Sequence, residues 1–80
     1  MNIYKKGSKY YCNNWYRYFA KGCVYEIYYQ KHLWVWCAWQ DGGWGICRRK
    51  FNKSEFKKLV NNGILEKLSE DELMIKDIIE

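Results

Sequence analysis

The feature that most constrains this sequence is a change of pattern near residue 51. All five Trp and all eight Tyr residues lie before it, whereas the residues after it are rich in Leu, Ile, Lys and Glu. Aromatic residues favour β-strands, and Leu, Lys and Glu favour helices. We therefore expect strands before the change and helices after it, which is an α+β fold. A chain of 80 residues predicts a single domain over 1–80.

The part before residue 51 contains extended segments separated by turn residues. Their bounds are 9–19, 23–29, 33–39 and 44–49. Asp41-Gly42 between the last two is typical of a β-hairpin, because runs rich in Trp, Val and Ile flank it. The pattern predicts a four-stranded antiparallel β-meander. Strict alternation in the second segment places Tyr25, Ile27 and Tyr29 on one face.

The hairpin loop decides which side chains share a face. A two-residue loop at 41–42 pairs Trp34 with Arg49 and leaves a continuous aliphatic row on the other face. We prefer this register because a helix can cover that aliphatic row. A three-residue loop ending at Gly43 would reverse the faces of the returning strand.

After residue 51 the apolar spacing becomes helical. Asn52 and Glu55 form a capping-box-like start, and Gly63 ends the segment at the position where helices favour a left-handed residue. One central helix over 52–62 is therefore expected to pack on the sheet. Its apolar stripe consists of Phe56, Leu59 and Val60.

The last residues contain a second helix-start signal, Ser69 followed by Glu72, before an aliphatic run. This pattern predicts a short C-terminal helix over 70–79. A closing strand is the alternative, because so short an apolar run near a terminus fits both.

The four cysteines, at positions 12, 23, 37 and 47, have no spacing that presents two thiolates to one zinc ion. With His32 as the single histidine, we expect buried structural thiols and no metal site. A zinc site and a Cys37–Cys47 disulfide are the two alternatives. Motifs of nucleophilic, phosphate-binding or metal-dependent enzymes are absent from the sequence. We expect neither an enzyme nor a cofactor.

Charge is divided along the chain in the same way as the aromatic residues. Residues 1–50 carry nine Lys and Arg residues and two acidic ones, whereas 51–80 carry five Lys residues and seven acidic ones. This asymmetry favours an interaction surface in the first part. The predicted partner-contact residues are Trp34, Trp36, Arg48, Arg49 and Lys50. A secondary basic patch is predicted at Lys53, Lys57 and Lys58.

The alternative for the predicted contact face is that a helix over 70–79 covers it. Trp34 and Trp36 would then be ordinary core residues, because large aromatic side chains are mostly buried.

Two classes of function fit these expectations. The first is a small inhibitor or adaptor that blocks the surface of a larger host protein, or of a nucleic-acid-bound complex, because interface hot spots are enriched in Trp, Tyr and Arg. Phage and mobile-element accessory proteins of the anti-CRISPR kind share this size and composition. The alternative is a single-stranded nucleic-acid-binding module with an aromatic, basic sheet face.

A cytoplasmic location is expected. The longest apolar run, 33–39, has seven residues, whereas a membrane span needs about 20. No apolar stretch of the signal-peptide kind follows the basic residues Lys5 and Lys6.

Overall fold

The computed structural model describes residues 3–40 and 42–68, except for the side chain of Trp44. The elements in chain order are β1 (Lys9–Cys12), β2 (Val24–Lys31), β3 (Trp34–Gln40), β4 (Ile46–Asn52), α1 (Lys53–Asn61) and β5 (Leu65–Lys67). The strands form one antiparallel sheet in the order β4-β3-β2-β1-β5. The predicted α+β class, the antiparallel meander and its central helix are confirmed.

The sheet has five strands, one more than predicted. The additional strand, β5, pairs with β1 at the edge of the sheet opposite β4. Its three residues are too few to show an alternating pattern, and it forms because α1 carries the chain across one face of the sheet. β1 ends at Cys12 rather than at residue 19 because the chain reverses at Tyr16–Phe19. The predicted C-terminal helix or strand over 70–79 lies outside the described residues.

The ends of α1 are fixed by the residues that predicted them. The side chain of Asn52 accepts a hydrogen bond from the backbone N–H of Ser54 at 2.9 Å. At the other end, Gly63 takes a positive φ of 79° and Ile64 donates to the carbonyl of Leu59 at 3.0 Å. The bond from Ile64 closes a Schellman motif, which satisfies carbonyls that the helix leaves free.

The core lies between α1 and the inner face of the sheet, which is the face toward α1. Aromatic rings fill much of it: the centroid of Tyr10 lies 5.1 Å from that of Phe56, and the centroid of Phe19 lies 4.8 Å from that of Tyr25. Each of these four side chains is buried. A large share of the aromatic residues is thus core, as strand propensity alone would suggest.

The register between β3 and β4 differs from the prediction. Trp34 pairs with Asn52, and Cys37 pairs with Arg49, so the loop spans 41–45 and both shorter loops are wrong. Gly42 and Gly45 adopt positive φ, which supports a longer turn than Asp-Gly alone suggests.

The observed register reverses the faces of β4 relative to the preferred prediction. It brings Phe51 beside Val35 on the inner face, where the centroid of Phe51 lies 4.5 Å from that of Phe19. Ile46 then points to the other face and is 65% exposed. Burying a large aromatic ring stabilises the fold more than burying one aliphatic side chain, so the sheet takes the register that covers Phe51.

Substituting Leu59 by Ala tests the packing of α1 on the sheet. Leu59 is 2% exposed, so its truncation should lower the free energy of unfolding by about 2–4 kcal/mol. Urea denaturation followed by Trp fluorescence measures this change. Lys57→Ala, at an exposed position of the same helix, is the control and should change it by less than about 0.5 kcal/mol. Equal effects of both substitutions would contradict the packing.

Candidate binding surface around strand β4

The sheet face opposite α1, here called the outer face, carries a group of aromatic and basic residues. Its members on β2, β3 and β4 are Tyr29, Lys31, Trp34, Trp36, Arg48 and Lys50. Among the described residues, no helix or strand lies over them. Tyr29 is 48% exposed and Trp34 is 38% exposed, while Trp36 is half-buried.

A β-bulge in β2 brings Tyr29 to this face. The pairing with β3 shifts between Ile27 and Tyr29, so that Ile27 opposes Cys37 while Tyr29 opposes Trp36. In a regular strand without the bulge, Tyr29 would share the inner face with Ile27, as strict alternation predicts. The rings of Tyr29 and Trp36 instead lie against each other, with centroids 4.9 Å apart.

Two of the three predicted contact cations lie on the outer face. Arg48 pairs with Ala38, and Lys50 pairs with Trp36. The Nζ atom of Lys50 lies 4.4 Å from the centroid of the Trp34 ring. A cation over an indole is attracted by the negative face of the ring.

The third predicted cation, Arg49, points to the opposite side of the sheet. It pairs with Cys37, and its Cζ atom lies 3.4 Å from the centroid of the Tyr18 ring. The predicted pairing of Arg49 with Trp34 is therefore wrong, because it depended on the two-residue hairpin loop. Lys50 occupies the position over Trp34.

A cleft of about 220 Å³ opens beside β4, which is an edge strand of the described sheet, and is here called the edge cleft. It lies between β4 and the turn at Tyr16–Phe19, and it reaches the start of α1. Its lining residues are Tyr16, Arg17, Tyr18, Phe19, Trp34, Arg49, Lys50, Phe51, Asn52 and Glu55. Trp34 and Lys50 belong both to this cleft and to the outer face.

The turn beside the edge cleft is held in place at two points. Phe19 is buried in the core, and the Nη1 atom of Arg17 donates a hydrogen bond of 3.0 Å to the Oε1 atom of Glu55 on α1. Arg17 adopts a φ of 50°, which is uncommon for a residue with a side chain. Glycine or asparagine at position 17 would have indicated such a backbone conformation, but the residue there is an arginine. The sequence therefore predicted neither the turn nor the roles of Arg17 and Tyr18.

The predicted secondary basic patch lies on α1, on the other side of the sheet. Lys57 and Lys58 are exposed there. Lys53 is half-buried, and its Nζ atom lies 5.2 Å from the centroid of the Tyr4 ring. Arg49 and Lys50 lie closer to an aromatic ring than Lys53 does.

The described part of the chain is strongly basic. It holds thirteen of the fourteen Lys and Arg residues and three of the nine acidic residues. Of those three, Glu55 pairs with Arg17 and Glu26 lies 3.8 Å from the ammonium of Lys9. The full chain has a net charge of +5, so the protein attracts anionic partners.

All four cysteines are free thiols in the structure. Cys12 and Cys37 are buried, and burial raises the pKa of the Cys37 thiol to about 12 and also raises the pKa of Cys12. Cys23 and Cys47 are partly exposed. Within 3–40 and 42–68, no three His, Cys, Asp or Glu side chains come together as a metal ion requires.

Thiol alkylation at about pH 8 should therefore separate the cysteines into two pairs. Cys23 and Cys47 should react first, because burial and the raised pKa keep Cys12 and Cys37 as inaccessible thiols. All four should react after unfolding without a reductant. Mass spectrometry of alkylated peptides measures both rates. A disulfide would contradict the prediction by leaving two cysteines unlabelled in the unfolded chain.

Comparisons with protein-family models, with curated proteins and with solved structures give no match for this chain. Among the described helices, none has both the length and the apolar character needed to cross a bilayer. The outer face and the edge cleft are therefore the features of the molecule that bear on its function.

Proposed function

We propose that this protein is a non-enzymatic module that binds single-stranded nucleic acid on the outer face. The observation that carries the proposal is the arrangement of Tyr29, Trp34 and Trp36 on neighbouring strands among the cations Arg48 and Lys50. Unpaired bases stack on such rings, and each stack contributes about 1–3 kcal/mol.

Charge favours nucleic acid over an ordinary protein partner. The centres of protein interfaces are depleted of Lys, whereas nucleic-acid interfaces are strongly positive. Lys31, Arg48 and Lys50 surround the rings of the outer face, and none of them has a carboxylate partner within the described residues. Phosphate groups passing beside the stacked bases would neutralise these cations.

The geometry also favours single strands over a duplex. Tyr29 and Trp34 lie on a strand surface with their rings exposed, and no described helix projects from the outer face. A duplex keeps its bases stacked on each other and presents a groove that a helix or a β-ribbon enters. Bases that are already unstacked can instead lie on the exposed rings.

Titration of a mixed-sequence single-stranded oligonucleotide, followed by fluorescence anisotropy, tests the proposal. Trp34→Ala should weaken binding about 5- to 150-fold, the range for one lost stack. Arg48→Gln with Lys50→Gln should reduce the slope of log K against log salt by about 1.4, since each phosphate contact contributes about 0.7 for single strands. Urea denaturation of each variant separates lost binding from lost folding.

The matched control is Lys57→Gln with Lys58→Gln. It removes the same charge from the exposed side of α1 and should leave the salt slope nearly unchanged. Weak binding that does not depend on salt would contradict the proposal. A larger effect of the control pair would move the site to the secondary basic patch.

A second candidate is the inhibitor or adaptor that blocks a larger host protein. The exposed aliphatic side chains Leu33 and Ile46 favour it, because they are 70% and 65% exposed and cannot stack with bases. Ile46 lies on the outer face, and Leu33 lies in the turn that leads into β3. An exposed apolar group beside aromatic residues is typical of a protein interface.

Capture experiments with nuclease-treated host lysate test this second candidate. Leu33→Gln with Ile46→Gln should abolish capture of a protein partner while changing the free energy of unfolding by less than about 0.5 kcal/mol per site, because both side chains are exposed. The same variant should retain oligonucleotide binding if nucleic acid is the only partner. Equal capture by the variant and by Lys57→Gln with Lys58→Gln would count against a protein interface here.

A further inference from the structure

We propose that the edge cleft binds the terminal phosphate of a single strand whose bases lie on the outer face. This inference rests on the proposed function and extends it from an aromatic surface to a site for one end of the strand. It gives a role to Arg17, Tyr18 and Arg49, which the outer face does not use.

The size of the edge cleft indicates that it holds only one part of a larger ligand. Its volume of about 220 Å³ is below the range of about 300–1,000 Å³ in which pockets enclose whole small molecules. A phosphate with its sugar is smaller than such a ligand. A cleft of this size therefore suits one terminal unit of a chain whose remaining units bind elsewhere.

The cleft continues directly from the outer face. Trp34 and Lys50 line both surfaces, so a strand stacked on Trp36 and Trp34 meets the opening of the cleft at the next position. The cations Arg48, Arg49 and Lys50 follow each other along β4 and alternate between the two sides of the sheet. A polyanion that passes over the edge of β4 thus stays beside positive charge.

The chemistry of the lining matches a phosphate monoester. The described lining contains three cations, Arg17, Arg49 and Lys50, and one carboxylate, that of Glu55. Arg17 pairs with this carboxylate. The guanidinium of Arg49 lies over the Tyr18 ring, which holds it in place while its N–H groups remain able to donate to oxygen. Arginine binds phosphate with two parallel hydrogen bonds.

The shape of the cleft favours an end of the strand over its middle. The buried side chains of Phe19 and Phe51 back the cleft, and Asn52 and Glu55 lie on its helix side. A strand that enters over Trp34 therefore stops there. A terminal phosphate carries a charge of about −1.5 to −2 near pH 7, whereas an internal phosphodiester carries a single negative charge, so the cations hold the end more strongly.

Three oligonucleotides of one sequence test the inference: a 5′-phosphorylated strand, a 3′-phosphorylated strand and an unphosphorylated strand, each with an internal fluorophore. One of the phosphorylated ends should bind at least about tenfold more tightly than the unphosphorylated strand, the lower value expected of hydrogen bonds to a charged group. This preference should fall below about pH 6, where the dianionic terminal phosphate takes up one proton and becomes a monoanion while arginine stays charged.

Arg49→Gln and Arg48→Gln form a matched pair, because the two residues are adjacent on β4 and point to opposite sides of the sheet. Arg49→Gln should abolish the preference for the phosphorylated end and leave binding of the unphosphorylated strand within about twofold. Arg48→Gln should weaken all three strands equally. Both residues are exposed, so both variants should fold.

The outcomes separate the two proposals. Equal affinity for all three strands would overturn the terminal-phosphate site and leave the single-strand function intact. A preference that Arg49→Gln retains would place the phosphate outside the edge cleft and would also overturn the inference. Failure of every strand to bind would overturn both proposals.

Discussion

Burial of Phe51 against Val35 and Phe19 is the interaction on which the candidate surface depends. Because side chains alternate along a strand, fixing Phe51 on the inner face also fixes the directions of its neighbours. Lys50 and Arg48 must then lie on the outer face, and Arg49 must lie on the α1 side. A shift by one residue would remove the cation from Trp34 and would expose a large aromatic ring to water. The packing of the core and the charge pattern of the surface are therefore set by one register.

The two faces of the sheet have different surroundings. The inner face is covered by α1 and by the turn at Tyr16–Phe19, and the core there contains buried aromatic rings from β1, β2, β4, α1 and that turn. The outer face keeps its rings exposed among cations. Since a sheet of this size can bury one face with a single helix, no further described element is needed to cover the second face. The turn that completes the core also forms one wall of the edge cleft, so Phe19 positions Arg17 and Tyr18.

The sequence predicted those features that depend on neighbouring residues. Asn52 and Gly63 define α1 because capping is a local interaction, and the four strands of the meander follow from segments of aromatic and β-branched residues. The features that it missed depend on distant contacts. The loop at 41–45 is longer than predicted because this register buries Phe51. The bulge between Ile27 and Tyr29 moves the Tyr29 ring to the outer face. β5 forms only because α1 brings it beside β1. The sequence therefore predicted the residue types of the candidate site and most of its location. The side of the sheet on which Arg49 lies followed only from the structure.

The position of β4 at an edge of the described sheet has a further consequence for association between copies of the chain. An edge strand exposes unpaired backbone groups that can pair with another edge strand. Antiparallel pairing of two copies through β4 would bring the run from Arg48 to Lys50 of one copy against the same run of the other, and like charges directly opposite destabilise such a pair. The cations proposed to contact a polyanion would thus also oppose the extension of this edge into a larger sheet. A bound polyanion would screen that repulsion. The ratio of polyanion to protein would then control whether two copies of the chain can associate through this edge.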